Sequence, residues 1–169
     1  MILATARLCL HELTADDAPF MLTLLNEPSF IQNIGDRGVR TIPDAAAYIE
    51  RGPRASYARH GFGLWRVTMA ETATPIGICG ILKRDALPEP DIGFAFLPAY
   101  WSRGFAFEAA SAVRDFGRDT LELPRLLAIV SPANAASIRL LERLGFAFDD
   151  RMIAMPGDAQ ELKLFAARL

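Results

Sequence analysis

Apolar and polar positions change period several times along the chain, and each change marks an element. Arg7 to Leu10 lies in an apolar run that suits an opening strand. Thr14-Ala15-Asp16-Asp17 reads as a capping-box-like helix start with Asp in the Glu/Gln place. Ala18, Met21, Leu22 and Leu25 follow at helical spacing, so a first helix runs to about Asn26, and Pro28 prevents it from continuing smoothly. Phe30 to Thr41 carries Gly35, Gly38 and mixed charges and is a loop with room for a short helix. Pro43 to about Arg59 is helical, with Ala46, Ile49 and Tyr57 on a rough face and Gly52-Pro53 as a candidate break.

Phe62 to Met69 and Ile76 to Leu82 read as strands joined by a turn at Glu71 to Pro75. So short a connection cannot cross over, so the pair is antiparallel. Asp91 to Leu97 is the next strand, ended by Pro98. Gly104 to about Thr120 places Ala106, Ala109, Ala110, Val113 and Phe116 on one helical face and Glu108, Ser111, Arg114, Asp115 and Arg118 opposite. Arg125 to Val130 is a buried-looking strand. Asn134 to Leu144 is a short helix, with Asn134 as N-cap and Gly145 at the C′ position. Phe146 to Met155 and Glu161 to Ala167 form a closing hairpin. Strand, helix and strand between Asp91 and Val130 predict a parallel, right-handed crossover beside an antiparallel hairpin, hence a mixed sheet in one domain over residues 1–169.

Composition narrows the function classes. At 169 residues the folded surface should be about 8,000 Å², enough burial for a core without staples. Eighteen basic against 20 acidic residues give a net charge of -2, which argues against a nucleic-acid partner. Lys83 and Lys163 are the only lysines, and the remaining cations are arginines, which stay protonated and make poor bases. Cys9 and Cys79 sit in apolar runs and read as buried thiols. No signal peptide is visible, and the longest uncharged apolar run, Ile92 to Trp101, is about half of a membrane span. The expectation is a cytoplasmic protein with no membrane partner.

Familiar motifs are missing. Gly61-Phe62-Gly63 lacks the third glycine of a dinucleotide fingerprint and precedes a strand. His11 and His60 are far apart in sequence, no thiol pair exists, and no metal is expected.

The informative stretch runs from Asp91 to Ala109: a strand, a turn with Arg103 and Gly104, and a helix start. The first helical turn carries unpaired N–H groups and partial positive charge, and Gly104 and Ala106 leave that backbone approachable, as a phosphate needs. A plain tight turn at Gly104 accounts for the same residues equally well.

Tyr100-Trp101-Ser102-Arg103-Gly104-Phe105-Ala106-Phe107-Glu108-Ala109 resembles the acetyl-CoA pyrophosphate loop of GNAT N-acetyltransferases, in its RimJ/RimL-type branch. Asn134-Ala135-Ala136-Ser137 through Gly145-Phe146 resembles that branch's Asn-x-x-Ser helix, and Arg7-Leu8 to Asp17 and Phe20 resemble its opening strand and helix. The three blocks stand in the family's order and nearly span the chain. Trp101 stands at the first loop position, as is usual for this branch, which removes a polar contact. Ser102 replaces a common glycine and Phe107 a common threonine. Leu141 stands where many GNATs carry a tyrosine general acid.

The resemblance implies an α/β (α+β) fold, with a mixed, mostly antiparallel sheet of six to seven strands and about four helices. It implies acetyl-CoA in a splayed sheet and no metal. Backbone groups near Phe96 and Leu97 would pair with the pantetheine arm. Those of Arg103, Gly104, Phe105, Ala106 and Phe107 would hold the pyrophosphate, with Trp101 and Ser102 beside them. Asn134 would shape the cofactor side, or serve only as an N-cap. Asp91 and Glu89 are candidate bases against the plainer reading of solvated loop acids, and Ser137 is a candidate donor to the leaving sulfur. An α-amine of pKa about 7.7–8.0 needs less help from a base than a lysine near 10.4. Phe30, Asn33, Asp36, Arg37, Trp65 and Tyr100 are candidates for the acceptor pocket, with core packing the alternative for the three aromatics.

The function implied is acetyl transfer from acetyl-CoA to a primary amine, with a protein N-terminus as the first acceptor class. A small-molecule amine, a non-catalytic acyl-CoA-binding module and a purely structural domain are alternatives. A homodimer is compatible with this reading.

Overall fold

The computed structural model describes residues 1–158 and 160–169. Eight strands form one sheet: β1 (Leu3–Ala4), β2 (Leu8–Glu12), β3 (Leu64–Met69), β4 (Pro75–Leu82), β5 (Asp91–Phe96), β6 (Arg125–Val130), β7 (Ala147–Ala154) and β8 (Glu161–Arg168). Their order is β1-β2-β3-β4-β5-β6-β8-β7. Every neighbouring pair is antiparallel except β5 and β6. The mixed, mostly antiparallel sheet is as expected, with the two-residue β1 as an additional edge strand.

Helices α1 (Ala18–Leu25), α2 (Pro28–Asn33), α3 (Ile42–Ile49) and α4 (Ala55–His60) precede β3. Ala18, Met21, Leu24, Phe30, Ala45 and Ile49 pack with Leu13 and Ile78 in a core on one face of the sheet. The opposite face takes α5 (Phe105–Asp119) and α6 (Ala135–Arg143), whose Ala109, Ala110, Val113 and Leu141 meet Trp65, Ile81, Ile92 and Leu126. Alternation along the strands produces the two cores: Ile78 faces the first and Cys79 the second.

Proline shapes the helical layer. Pro28 opens α2 in the first turn, where its missing N–H costs nothing. Pro53 lies inside the helix that begins at Ile42, and the five residues Glu50–Arg54 widen to a π turn. A proline ring cannot donate and collides with the carbonyl four residues back, so the helix opens locally and continues as α4 to Gly61, whose φ of +77° ends it.

Between β5 and β6 the sheet comes apart. The two strands share one register pair, Asp91 with Leu127, and the Leu127 N–H donates to the Pro90 carbonyl at 2.9 Å. Beyond that point they diverge.

Candidate functional site

Backbone alternation decides which groups the divergence exposes. The Leu97 N–H donates to the Ile76 carbonyl at 2.9 Å, so Leu97, Ala95, Gly93 and Asp91 turn their backbone groups towards β4. Phe94 and Phe96 turn theirs towards β6, which is no longer there. The Phe96 carbonyl is covered by the Trp101 indole, whose Nε1 donates to it at 2.8 Å. The N–H and C=O of Phe94 and the N–H of Phe96 remain open to the gap.

This arrangement alters the expectation for Leu97. Its N–H is used by Ile76, and its carbonyl, which accepts from the Tyr100 N–H at 3.0 Å, lies on the β4 side and not in the gap. The expectation shifts from Leu97 to Phe94, and the period-two rule could have located it had the β4 register been known.

Below the gap, α5 begins without a side-chain cap. Its first bonded amide is Glu108, which donates to the Gly104 carbonyl at 3.0 Å. The N–H groups of Phe105, Ala106 and Phe107 therefore have no intrahelical acceptor. Gly104 holds φ +80° and Ser102 +59°, a left-handed pair that folds the loop back onto the helix start.

The loop is braced from the other end of the sequence. Glu108 accepts from Thr5 Oγ1 at 2.6 Å, from the Arg7 N–H at 2.9 Å and from Arg7 Nε at 2.7 Å. Arg7 Nη1 donates to the Arg103 carbonyl at 3.1 Å, and the Arg7 guanidinium lies 4.5 Å from the Phe105 ring centroid. Burial pushes the Glu108 carboxyl upward, but its bonds to Thr5 and Arg7 outweigh this and hold its pKa below the ordinary value. The sequence shows Glu108 only on the polar face of its helix, because its partners lie about a hundred residues away.

Two connected cavities flank the opening. The larger, about 850 Å³, is lined by Phe94 and Phe96, the segment from Tyr100 to Phe107 without Arg103, Asn134 to Ser137 with Arg139, Leu140 and Arg143 of α6, and Phe30, Asn33 and Ile34 on the α2 side. The smaller, about 310 Å³, lies towards α2 and α3 and is lined by Phe30, Asn33, Arg37, Tyr48, Arg84, Gly93 and Asp158 among others. Phe30, Asn33, Ile34, Phe94, Ala95, Asn134 and Ser137 line both, so the two spaces are continuous beside the split sheet. Asn134 caps α6, its Oδ1 accepting from the Ser137 N–H at 3.2 Å. Phe107 lines the larger cavity and carries the Arg143 guanidinium 4.4 Å from its ring centroid. Leu141 is buried.

The candidate acids separate. Glu89 is paired with Arg125 at 3.2 Å and lines neither cavity. Asp91 lies at the floor of the smaller cavity, but its side chain is 1% exposed and both oxygens accept from Arg84 Nε at 3.0 Å. Desolvation raises its pKa to about 6, against the pull of Arg84. A carboxylate so covered is no contact base.

Of the proposed acceptor residues, Arg37 lines the smaller cavity alone, and Phe30 and Asn33 line both. Trp65 instead stands edge-on to Phe116 in the core. Asp36 pairs with Arg40 at 2.5 Å, and Tyr100 lies on the cofactor side against Phe105. Arg84, Tyr48 and Asp158 were absent from the sequence expectations, since nothing local marks three isolated residues that only the fold brings together.

Comparison with known proteins agrees with this geometry. Residues 7–147 match a family model described as an acetyltransferase (GNAT) domain. An uncharacterized N-acetyltransferase of Bacillus subtilis, YoaA, is 30% identical over 147 residues, covering 86% of this chain and 82% of that protein. The crystal structure of an acetyltransferase from Agrobacterium tumefaciens superimposes with a TM-score of 0.82 at 30% identity, over 99% of this chain and 94% of that one. A ribosomal L7/L12 α-N-protein acetyltransferase, RimL, in complex with coenzyme A shares the fold, with a TM-score of 0.84 at 14% identity over 99% and 97% of the two chains.

Proposed function

The chain belongs to the GNAT acetyltransferase family and is an acetyl-CoA-dependent N-acetyltransferase; from that premise we propose that it acetylates a small primary amine by direct attack within a ternary complex. The observation that carries this reading is the split between β5 and β6. It opens the Phe94 backbone groups beside the uncapped start of α5, with a cavity on each side. The loop and helix motifs favour the RimJ/RimL-type branch.

In this reading the unbonded N–H groups of Phe105 to Phe107 hold the pyrophosphate, and the Phe94 backbone pairs with the pantetheine arm and faces the developing oxyanion. Trp101 keeps the Phe96 carbonyl occupied. The acceptor enters through the smaller cavity. Its nitrogen attacks the thioester carbon, the C–S bond breaks, and the acetyl group passes to nitrogen. The amine's extra proton leaves to water, because the acids sequence reading proposed are covered or turned away. The departing thiolate, with a pKa of about 8.5, needs little acid, and Ser137, where the cavities meet, is positioned as a hydrogen-bond donor to it.

A small amine is favoured over a protein N-terminus because the smaller cavity holds about 310 Å³, suited to a compact acceptor.

The test is acetyl-CoA titration by calorimetry on the wild type and Ala106→Glu. Gly104 is a poor site for this substitution, since its φ of +80° strains any side chain regardless of charge. Ala106 lies on regular helix, so a glutamate there sets a carboxylate against the phosphates without backbone strain. Binding should fall at least about tenfold in a variant that melts like the wild type. Unchanged affinity would remove the α5 start from the cofactor site.

A further inference from the structure

The smaller cavity holds both signs of charge, and one pair cancels. Arg84 is bonded to both oxygens of Asp91. The remaining polar side chains on its α2, α3 and β7–β8 walls are Asn33, Arg37, Tyr48 and Asp158. None of these four has a side-chain hydrogen bond or ion pair among the described residues. They are not sealed off either: the only enclosed, unpartnered side-chain nitrogen or oxygen among the described residues is Arg66 Nε. Four polar groups without partners therefore face the same space. Burial raises the Tyr48 hydroxyl pKa, while the charges of Arg37 and Arg84 pull it down.

The uncommitted charges are one cation, Arg37, and one anion, Asp158. A polyamine carries positive charge alone and would set it against Arg37 while finding one uncommitted carboxylate. A peptide N-terminus carries a neutral amide where an amino acid carries its carboxylate and would leave Arg37 without an anion. A compact molecule bearing an amine and a carboxylate a few bonds apart meets neither obstacle. We propose that the acceptor is a small amino-acid-like zwitterion, its carboxylate held by Arg37 with the Tyr48 hydroxyl and Asn33 amide, and its amine turned towards the opening beside Phe94. This deepens the acetyltransferase reading above and rests on it. The guanidinium offers a carboxylate a forked, charge-assisted pair, and Tyr48 and Asn33 supply neutral donors.

The experiment is an initial-rate assay of coenzyme A thiol release with three series of acceptors: α-amino acids, the same amino acids as carboxamides, and spermidine with tetrapeptide amides. Carboxamides are the better nucleophiles at neutral pH, because loss of the carboxylate lowers the amine pKa. Preference for the acid must therefore come from the site. The best amino acid should exceed its amide at least about tenfold in kcat/KM. Arg37→Gln should bring the two to near parity, with acetyl-CoA affinity by calorimetry unchanged, and Arg37→Lys should restore part of the ratio. Arg37 is exposed, so its loss does not endanger folding. Amides, peptides or spermidine turned over as well as the acids would overturn the proposal while leaving acetyl transfer standing. An equal loss for acids and amides in Arg37→Gln would overturn it too. Acetyl-CoA binding with no thiol release for any amine would instead overturn the catalytic reading and this inference with it.

Discussion

Asp91 sits on the floor of the smaller cavity with both carboxylate oxygens bonded to Arg84 Nε at 3.0 Å. Next to Ile92-Gly93 at a strand start it reads as a base, yet its carboxylate is covered by Arg84 and by the cavity floor. With a folded pKa of about 6 against about 3.9 unfolded, the native state binds the extra proton between those values. Stability from this group is therefore fully present below about pH 4 and lost as pH rises through 6, by on the order of 3 kcal/mol. Urea unfolding between pH 4 and 6.5 should show that decline in the wild type and a flatter profile in Asp91→Asn. An unchanged slope in the variant would assign the decline to other groups. The same burial predicts that kcat/KM carries no inflection near pH 6. Its rising limb should follow the acceptor's amine pKa, shifting when the amine is changed. A limb fixed near 6 for amines of different pKa would return Asp91 to the proton path.

At the scale of elements, β5 has two faces, and the proposed function uses both. Asp91, Gly93 and Ala95 belong to the side towards α2 and α3, whereas Phe94 and Phe96 belong to the side towards α5. Gly93 lines the smaller cavity and not the larger. A Cβ there would meet Leu82 Cδ1 at 2.8 Å, the end of a side chain able to move. Gly93→Ala should therefore cost about 1 kcal/mol of stability, raise the acceptor KM several-fold and leave acetyl-CoA affinity alone. A weakened acetyl-CoA titration with normal acceptor KM would reverse the assignment of the two faces. Most elements were legible before the structure, because Asn134 and Gly145 mark where a helix starts and stops, whereas Pro28, read only as a stop, opens α2 within a stretch read mainly as loop. The π turn at Pro53 was legible only as a break: neighbouring packing, which sequence does not display, decides whether a proline ends a helix or widens it. The loop from Trp101 to Phe107 was read from local residues, whereas its brace, Glu108 on Thr5 and Arg7, depends on the sheet bringing the chain's start beside α5. Arg37, Tyr48, Arg84 and Asp158 come from four separate segments, so their meeting is a property of topology alone.

At the scale of the whole molecule, two cavities join at one opening, and that arrangement bears on the proposed order of chemistry. Both reach Phe94 and Ser137, so two substrates can be present together and react where the spaces join. The alternative is a two-step route in which the protein itself takes the acetyl group, and that route needs a nucleophile at the junction. Cys79 is fully buried in β4, and desolvation drives its thiol pKa up, so almost no thiolate forms at neutral pH. Cys9 lies on β2 and lines neither cavity. Ser137 is the hydroxyl common to both cavities, but neither histidine lines either space to activate it. His60 instead stacks on Phe62. Initial rates measured over a grid of acetyl-CoA and acceptor concentrations should therefore give intersecting double-reciprocal lines, the signature of a ternary complex. Ser137→Ala should lower kcat by no more than about tenfold, the loss of one hydrogen bond to the departing sulfur. Parallel lines, together with a Ser137→Ala variant that releases no thiol, would demand an acetylated protein intermediate and would mean that the two cavities are occupied in turn.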